Sequence, residues 1–345
     1  MNSPFIRQVV PIVVAVGLLW YVLKDVPIAE LSAQFQQANY QWLFMAGVTI
    51  AIYHLVRASR WQLTLQAMDY TPSLFRTVIA LLAGAMASMI IPGAGELTRC
   101  GTLQRTDNVP IAQGLGSVVA ERVIDILMLF ILIALTFFLE FKRVGQFLTN
   151  LLSPLLPDAY TSGSYTLLLA GSAGIVLAGI AFIYSLVQNQ AYRQHPLVQR
   201  INGVLHNVAK GFMSIKKVKK PVLFVVLTVT SYVVAFLTTY LLFFASSQTV
   251  SLPPSAALTI LTVSSLGGIA VPTQGGIGTY HFLVSRVLML YGMDETASVV
   301  MATFLHAAQT AFSLLFSSLS FLIVPILIKQ KKNPANDSLL SNQSI

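Results

Sequence analysis

Apolar residues dominate nine stretches of the chain, at about 5–23, 40–57, 74–91, 113–139, 165–187, 221–245, 254–271, 277–291 and 296–328. A helix needs about 20 such residues to cross roughly 30 Å of hydrocarbon. The runs 5–23, 40–57, 113–139, 165–187, 221–245 and 296–328 meet or approach that length and predict about six full transmembrane helices. The run 40–57 leads into Arg57, Arg60 and Trp61, so its end is expected at the membrane interface. The first run could be mistaken for a signal peptide, but it lacks a small-x-small cleavage site and ends in Lys24-Asp25, so it is read as a retained helix.

Two regions break the pattern. The run from 74 stops at Ile91-Pro92-Gly93-Ala94-Gly95 and resumes as a more polar stretch to about 106. The run from 254 stops at Val271-Pro272-Thr273-Gln274-Gly275-Gly276-Ile277-Gly278 and resumes to 291. Proline removes a backbone donor and collides with the preceding helical turn, and glycine admits dihedrals closed to other residues. Each cluster therefore predicts two helical arms joined by a tip, as re-entrant hairpins at 74–106 and 254–291.

Composition fixes the solvent. Charged residues make up 10% of the 345 positions and hydrophobic ones 55%. A soluble domain carries about 25% charge, so this chain is expected to be solvated by lipid, as a single integral membrane domain over 1–328. The excess of Lys and Arg, +9 in all, sits mostly in short loops and reports topology rather than nucleic acid. The segment 188–220 holds Arg193, Arg200, Lys210, Lys216, Lys217, Lys219 and Lys220 without an acid, and the tail adds Lys329, Lys331 and Lys332. Positive-inside bias puts both in the cytoplasm. That holds only if each broken region enters and leaves on one side, and it leaves just Lys24, Lys142 and Arg143 outside, with Arg99, Arg122 and Arg286 at depth. Both termini then lie in the cytoplasm. The segment 188–220 is a basic loop, within which 188–210 could be an interfacial helix, and 329–345 is a disordered tail.

The same reasoning exposes a repeat. Span, hairpin from inside, span (40–139) matches span, hairpin from outside, span (221–328). Inverted repeats with broken helices at corresponding places point to a transport site near the bilayer midplane. Irregular backbone survives in a membrane only where it is buried in protein or lines a wet cavity, so the two tips should face each other or a shared cavity. The arm after each tip starts with free N–H groups at the positive end of a helix dipole.

Several side chains carry candidate chemistry. Gly95, Gly275, Gly276 and Gly278, with Gly93 and Gln274, would let an anionic headgroup approach the backbone; tight packing of the arms is the alternative. Glu96 and Arg99 share a helix face at i, i+3. Glu121, Arg122 and Asp125 lie within a span, where each charge costs about 2.5–3.5 kcal/mol at the helix centre and demands a partner or water. Arg122 and Asp125 can pair within the helix, leaving Glu121 for Arg99, Arg57 or Arg60. That cluster reads equally as a structural tie or as a transport site. Arg57 and Arg60 suit bidentate phosphate contact, or else snorkel to headgroups with Trp61 as a belt residue. His281, near Tyr280 and Arg286, can contact a headgroup or be satisfied by a neighbour. His306 and Gln309 form one polar helix face. The single cysteine, Cys100, excludes an internal disulfide, no metal-ligand spacing is found, and no cofactor is expected.

Together, R-x-x-R-W (Arg57, Arg60, Trp61), P-x-x-G-E-x-x-R (Pro92, Gly95, Glu96, Arg99), E-R-x-x-D (Glu121, Arg122, Asp125) and P-x-x-G-G-x-G (Pro272, Gly275, Gly276, Gly278) resemble the transmembrane region of lysylphosphatidylglycerol synthases and the stand-alone flippase-like proteins related to it. The resemblance covers about 5–328 and implies two re-entrant helices around a lipid cavity, with movement of a lipid between leaflets. The chain has no room for the soluble synthase domain of fused members, so aminoacyl transfer is not expected. It departs from the family where a Glu often follows the last glycine by three residues; here that residue is His281.

The expected function is therefore an integral membrane flippase for an anionic or aminoacylated phospholipid or a polyprenyl-phosphate-type lipid, in a bacterial cytoplasmic membrane. Its expected partners are membrane lipids with a phosphate-containing headgroup, not nucleic acid, and self-association is compatible with the sequence. A polyprenyl-phosphate glycosyltransferase or a non-catalytic membrane subunit are the competing classes. The first finds no D-x-D motif, and the second needs no buried charge.

Overall fold

The computed structural model describes residues 28–91, 93–143, 218–271 and 273–332. Among them every regular element is helical: α1 (Ile28–Gln36), α2 (Tyr40–Gln66), α3 (Leu74–Ile90), α4 (Ala94–Asp107), α5 (Ile111–Leu139), α6 (Pro221–Phe243), α7 (Pro254–Ala270), α8 (Thr279–Leu290) and α9 (Glu295–Lys332), with a 3-10 turn at Gln274–Gly276 before α8. The chain is an integral membrane protein. The helices α2, α5, α6 and α9 are long and apolar enough to cross a bilayer, and they match four of the six expected spans. The runs 5–23 and 165–187, the loop to 217 and the tail after 332 lie outside the described residues. The short α1 was not anticipated.

The contacts divide the chain into two units, Met1–Arg122 with Ile215–Ile345, and Val123–Ser214. In the second unit the described residues are the rest of α5 and its end, where Arg143 pairs with Glu140 at 2.9 Å. The other elements belong to the first unit.

Helix ends follow local rules. The Asn39 side chain accepts from the N–H of Gln41 at the start of α2, and the Ser73 hydroxyl accepts from the N–H of Arg76 at the start of α3. Prolines open α6 and α7, where a missing N–H is no loss. The breaks in the two hairpins are alike. Both α3 and α7 run 17 residues and stop at the residue before a proline, Ile91 and Val271, with φ of −131° and −132°. A proline disfavours helical backbone in the residue before it. The next arm starts only after left-handed glycines, Gly93 (φ 79°) in the first case and Gly275, Gly276 and Gly278 (φ 58°, 81° and 80°) in the second. At about 1.5 Å per residue, 17 residues reach roughly 25 Å, short of a full crossing.

Contacts at the helix ends give the direction of each hairpin. At one end of the unit Arg76 bonds Asp107 at 3.1 Å, so α4 returns to where α3 began. The same end holds the Lys219–Asp69 pair at 2.9 Å, and Lys331, which donates to the Arg105 carbonyl and the Asn108 side chain at 3.0 and 2.7 Å. At the opposite end the Asn39 N–H donates to the Ala245 carbonyl at 2.9 Å, and Thr259 meets the Tyr291 hydroxyl at 3.1 Å. There α8 returns to where α7 began. The helix pairs α3–α4 and α7–α8 thus enter from opposite ends. Ala38, Ala245, Leu252, Ala256, Leu288 and Met301 share one buried cluster at the second end, while Trp61, Leu65, Ala80, Cys100 and Leu103 form another around α3 and α4. Large apolar side chains such as Phe44, Val222, Phe321 and Leu322 point outward, as a lipid solvent requires.

The arms of the first hairpin touch backbone to backbone. A Cβ on Gly95 would stand 2.0 Å from the Ser88 hydroxyl and 2.5 Å from the Gly84 carbonyl. The small-residue spacing Gly84, Ser88 makes this approach possible. Around Gly93 the space for a Cβ is open, and only its dihedral asks for glycine. Gly95→Ala should therefore lower the thermal unfolding midpoint in detergent more than Gly93→Ala, because overpacking costs about 1–3 kcal/mol and left-handed strain about 1–2. Equal midpoints for Gly95→Ala and the wild type would contradict the close contact.

Candidate functional site

The first tip and its neighbours assemble an ion network in the interior. Helix α2 does not end at Arg57 but continues to Gln66, which carries Arg60 and Trp61 into the bundle. Arg60 is 1% exposed and Trp61 is fully buried. The reading of Arg60 as snorkelling to headgroups, with Trp61 as a belt residue, is thus corrected: α4 and α5 cover both side chains, and α5 supplies the counter-charge. Glu121 on α5 provides that charge. One carboxylate oxygen lies 2.9 Å from Arg99 and the other 3.5 Å from Arg60. Arg99 lies over the Trp61 ring, 4.5 Å from its centre, and the Trp61 indole N–H donates to Ser117 on α5 at 2.8 Å. Three helices are tied at one point.

Arg122, the next residue after Glu121, points away from that core and donates to Glu96 in the first turn of α4. The sequence offered Asp125 as a partner within the helix; the structure shows a pairing that reaches across to the hairpin. Asp125 itself falls in the second unit. Glu96 and Arg99 share a face of α4 but have different settings: the Arg99 side chain is 8% exposed and that of Glu96 26%. Glu96 also sits where a carboxylate favours the helix dipole. Gly93, which precedes α4, has no side chain to cap the first-turn amides.

These groups wall a cavity of about 360 Å³. Arg57, Glu96, Arg99 and Arg122 line it on the charged side, with the backbone of Gly93 and Gly95. From α3 come Gly84, Ser88 and Met89, and from the second broken helix Gly268, Thr273 and Gly275. The two tips therefore meet at a single cavity, and a Cβ on Gly275 would lie 4.0 Å from the Met89 side chain. Ser88, Met89 and Thr273 were not singled out in the sequence. The small-residue spacing of Gly84 and Ser88 was the available signal for the α3 wall.

The second tip is held by neutral groups. The Gly275 carbonyl accepts from His306 Nε2 at 2.8 Å, which requires a proton on that nitrogen. The His306 ring stacks on Tyr280, with centres 4.8 Å apart, and Gln309 donates to the Tyr280 hydroxyl at 3.3 Å. The polar face of His306 and Gln309 is thus a support for the tip. His281 is buried at the third position of α8, where its Nδ1 accepts the Gly278 N–H at 3.3 Å. A glutamate there could make the same reach back to the helix start. The histidine keeps the cap and omits the negative charge. Gln274 and Gly276 belong to the 3-10 turn, and Gly278 precedes α8.

The family model for the lysylphosphatidylglycerol synthase TM region matches residues 8–317. No curated protein and no solved structure matches the chain.

Glu121→Gln should destabilise the protein by about 3–5 kcal/mol, because it takes a shared counter-charge from two buried guanidinium groups. Glu96→Gln, at a more exposed pair, should cost much less. Denaturation in detergent or bicelles, followed by helix content, checks the order; equal stability of the two variants would contradict the network described.

Proposed function

Since the chain belongs to the lysylphosphatidylglycerol synthase transmembrane-region family, whose members are membrane proteins of lipid handling, we propose that it is a flippase-type transporter that carries a phosphate-containing lipid headgroup between leaflets through the cavity at the two tips. The observation that carries this reading is the convergence of two broken helices, from opposite ends, on one cavity walled by ionised side chains. Charges inside a membrane are costly and by default mark a pathway. Broken backbone at that depth is tolerated where it lines a polar cavity.

In this reading the helix pairs α3–α4 and α7–α8 are re-entrant hairpins of an inverted repeat, and the headgroup enters between them while its acyl chains stay in the bilayer. Arg57, Arg99 and Arg122 attract the phosphate, Glu96 sets the position of Arg122, and the amides of Gly95 and Gly275 lie within reach of the guest. Rocking of one repeat against the other exposes the cavity to each leaflet in turn. In this reading the positive charge of the loop and tail favours termini on the cytoplasmic side of a bacterial inner membrane. The transport cycle needs no chemical step on the lipid and no cofactor. The candidate lipids are phospholipids and polyprenyl phosphates.

Reconstitution in liposomes with headgroup-labelled phospholipid tests the reading. The wild type should accelerate exchange between leaflets. Glu96→Gln should slow it by about tenfold or more, equivalent to roughly 1.4 kcal/mol in the barrier, while the unfolding midpoint stays near that of the wild type. A wild-type protein that accelerates exchange of no phospholipid or polyprenyl phosphate would defeat it.

A further inference from the structure

The charge balance of the cavity narrows the guest. Four guanidinium groups, Arg57, Arg60, Arg99 and Arg122, stand in or directly behind its charged wall, against the carboxylates of Glu96 and Glu121. Asp125, three residues beyond Arg122 on the same helix, raises the count of acids to three and still leaves an excess of one positive charge. Both wall carboxylates are engaged: Glu96 by Arg122, and Glu121 by Arg99 and Arg60. Among the described residues the opposite wall adds no acid. It presents Gly268, Thr273 and Gly275, and behind it His281 uses Nδ1 as an acceptor and His306 donates from Nε2 to a carbonyl. A guest ammonium would find both wall carboxylates, Glu96 and Glu121, already bound to arginine. A phosphodiester would supply the charge that the wall lacks, at a place where an unbalanced charge is expensive, and arginine is suited to phosphate oxygens.

We propose that the cavity selects a headgroup of net negative charge, a phosphodiester without an amine, over an aminoacylated, net cationic one. The inference rests on the transport reading for the lipid source of the phosphate. The charge selection itself can be measured as binding.

The test uses the purified full chain in detergent, with phosphatidylglycerol, lysylphosphatidylglycerol and deacylated glycerophosphoglycerol as probes, and native mass spectrometry to read occupancy. Phosphatidylglycerol should bind about tenfold or more tighter than the lysyl lipid, equivalent to roughly 1.4 kcal/mol. Arg57→Gln and Arg122→Gln should each erode that preference. Lys329→Gln, an exposed change on α9 outside the cavity, should not. Equal or tighter binding of the lysyl lipid, or a preference unchanged in both arginine variants, overturns the proposal. Tight binding of the deacylated headgroup with no gain from acyl chains overturns its lipid source and favours a soluble phosphodiester. Preferential phosphatidylglycerol binding without transport in liposomes supports the charge selection and removes the transport reading instead.

Discussion

The structure depends on one carboxylate. Glu121 stands between Arg99 at 2.9 Å and Arg60 at 3.5 Å in a region shielded from water. Without it, two buried guanidinium groups would lose the carboxylate they share, and α2 and α4 the ion pairs that join them to α5. With it, the return arm of the first hairpin is locked against α2 and α5. Trp61 closes the knot, with its ring under Arg99 and its indole N–H on Ser117. The knot settles where Glu96 and Arg122 stand, because each lies about one turn or less along its helix from a knotted residue. A buried ion cluster here converts the cost of charge burial into position.

The second hairpin reaches the same cavity by a different route. Its tip carries no charge and is braced by a histidine–carbonyl bond, a stacked ring and a histidine cap. One wall of the cavity is therefore electrostatic, and the other is backbone and small side chains. A headgroup that crosses such a cavity meets fixed charge on one side and amide or hydroxyl groups on the other. His281 caps the start of α8 without bringing a negative charge to that side.

Much of this was legible in the sequence. The four described spans, the two breaks and the residues at each break follow from run length and from proline and glycine chemistry. A pre-proline residue ends a helix whatever surrounds it, so Ile91 and Val271 could be placed without coordinates. The match of Glu121 to Arg99 and Arg60 was also among the anticipated options, since three charges within one turn of an apolar helix must find partners. What did not show was burial and reach. Arg60 and Trp61 looked like headgroup-facing residues because apolar character fades there, yet α2 continues to Gln66 and both side chains are buried. The Arg122–Glu96 pair was not among the options weighed, because spacing along one helix is visible in sequence, while the distance from α5 to the first turn of α4 is not. Ser88, Met89 and Thr273 were passed over because nothing in an apolar or loop segment marks which face will border a cavity.

The most direct test of a headgroup held between the two tips is photolabelling. A phospholipid with a photoreactive group in its headgroup, incubated with the protein in nanodiscs and mapped by peptide mass spectrometry, should label the segments 84–99 and 268–276. Labelling confined to outward-facing apolar surfaces, such as that around Val222 on α6 or Leu322 on α9, with both tips unmodified, would contradict the account.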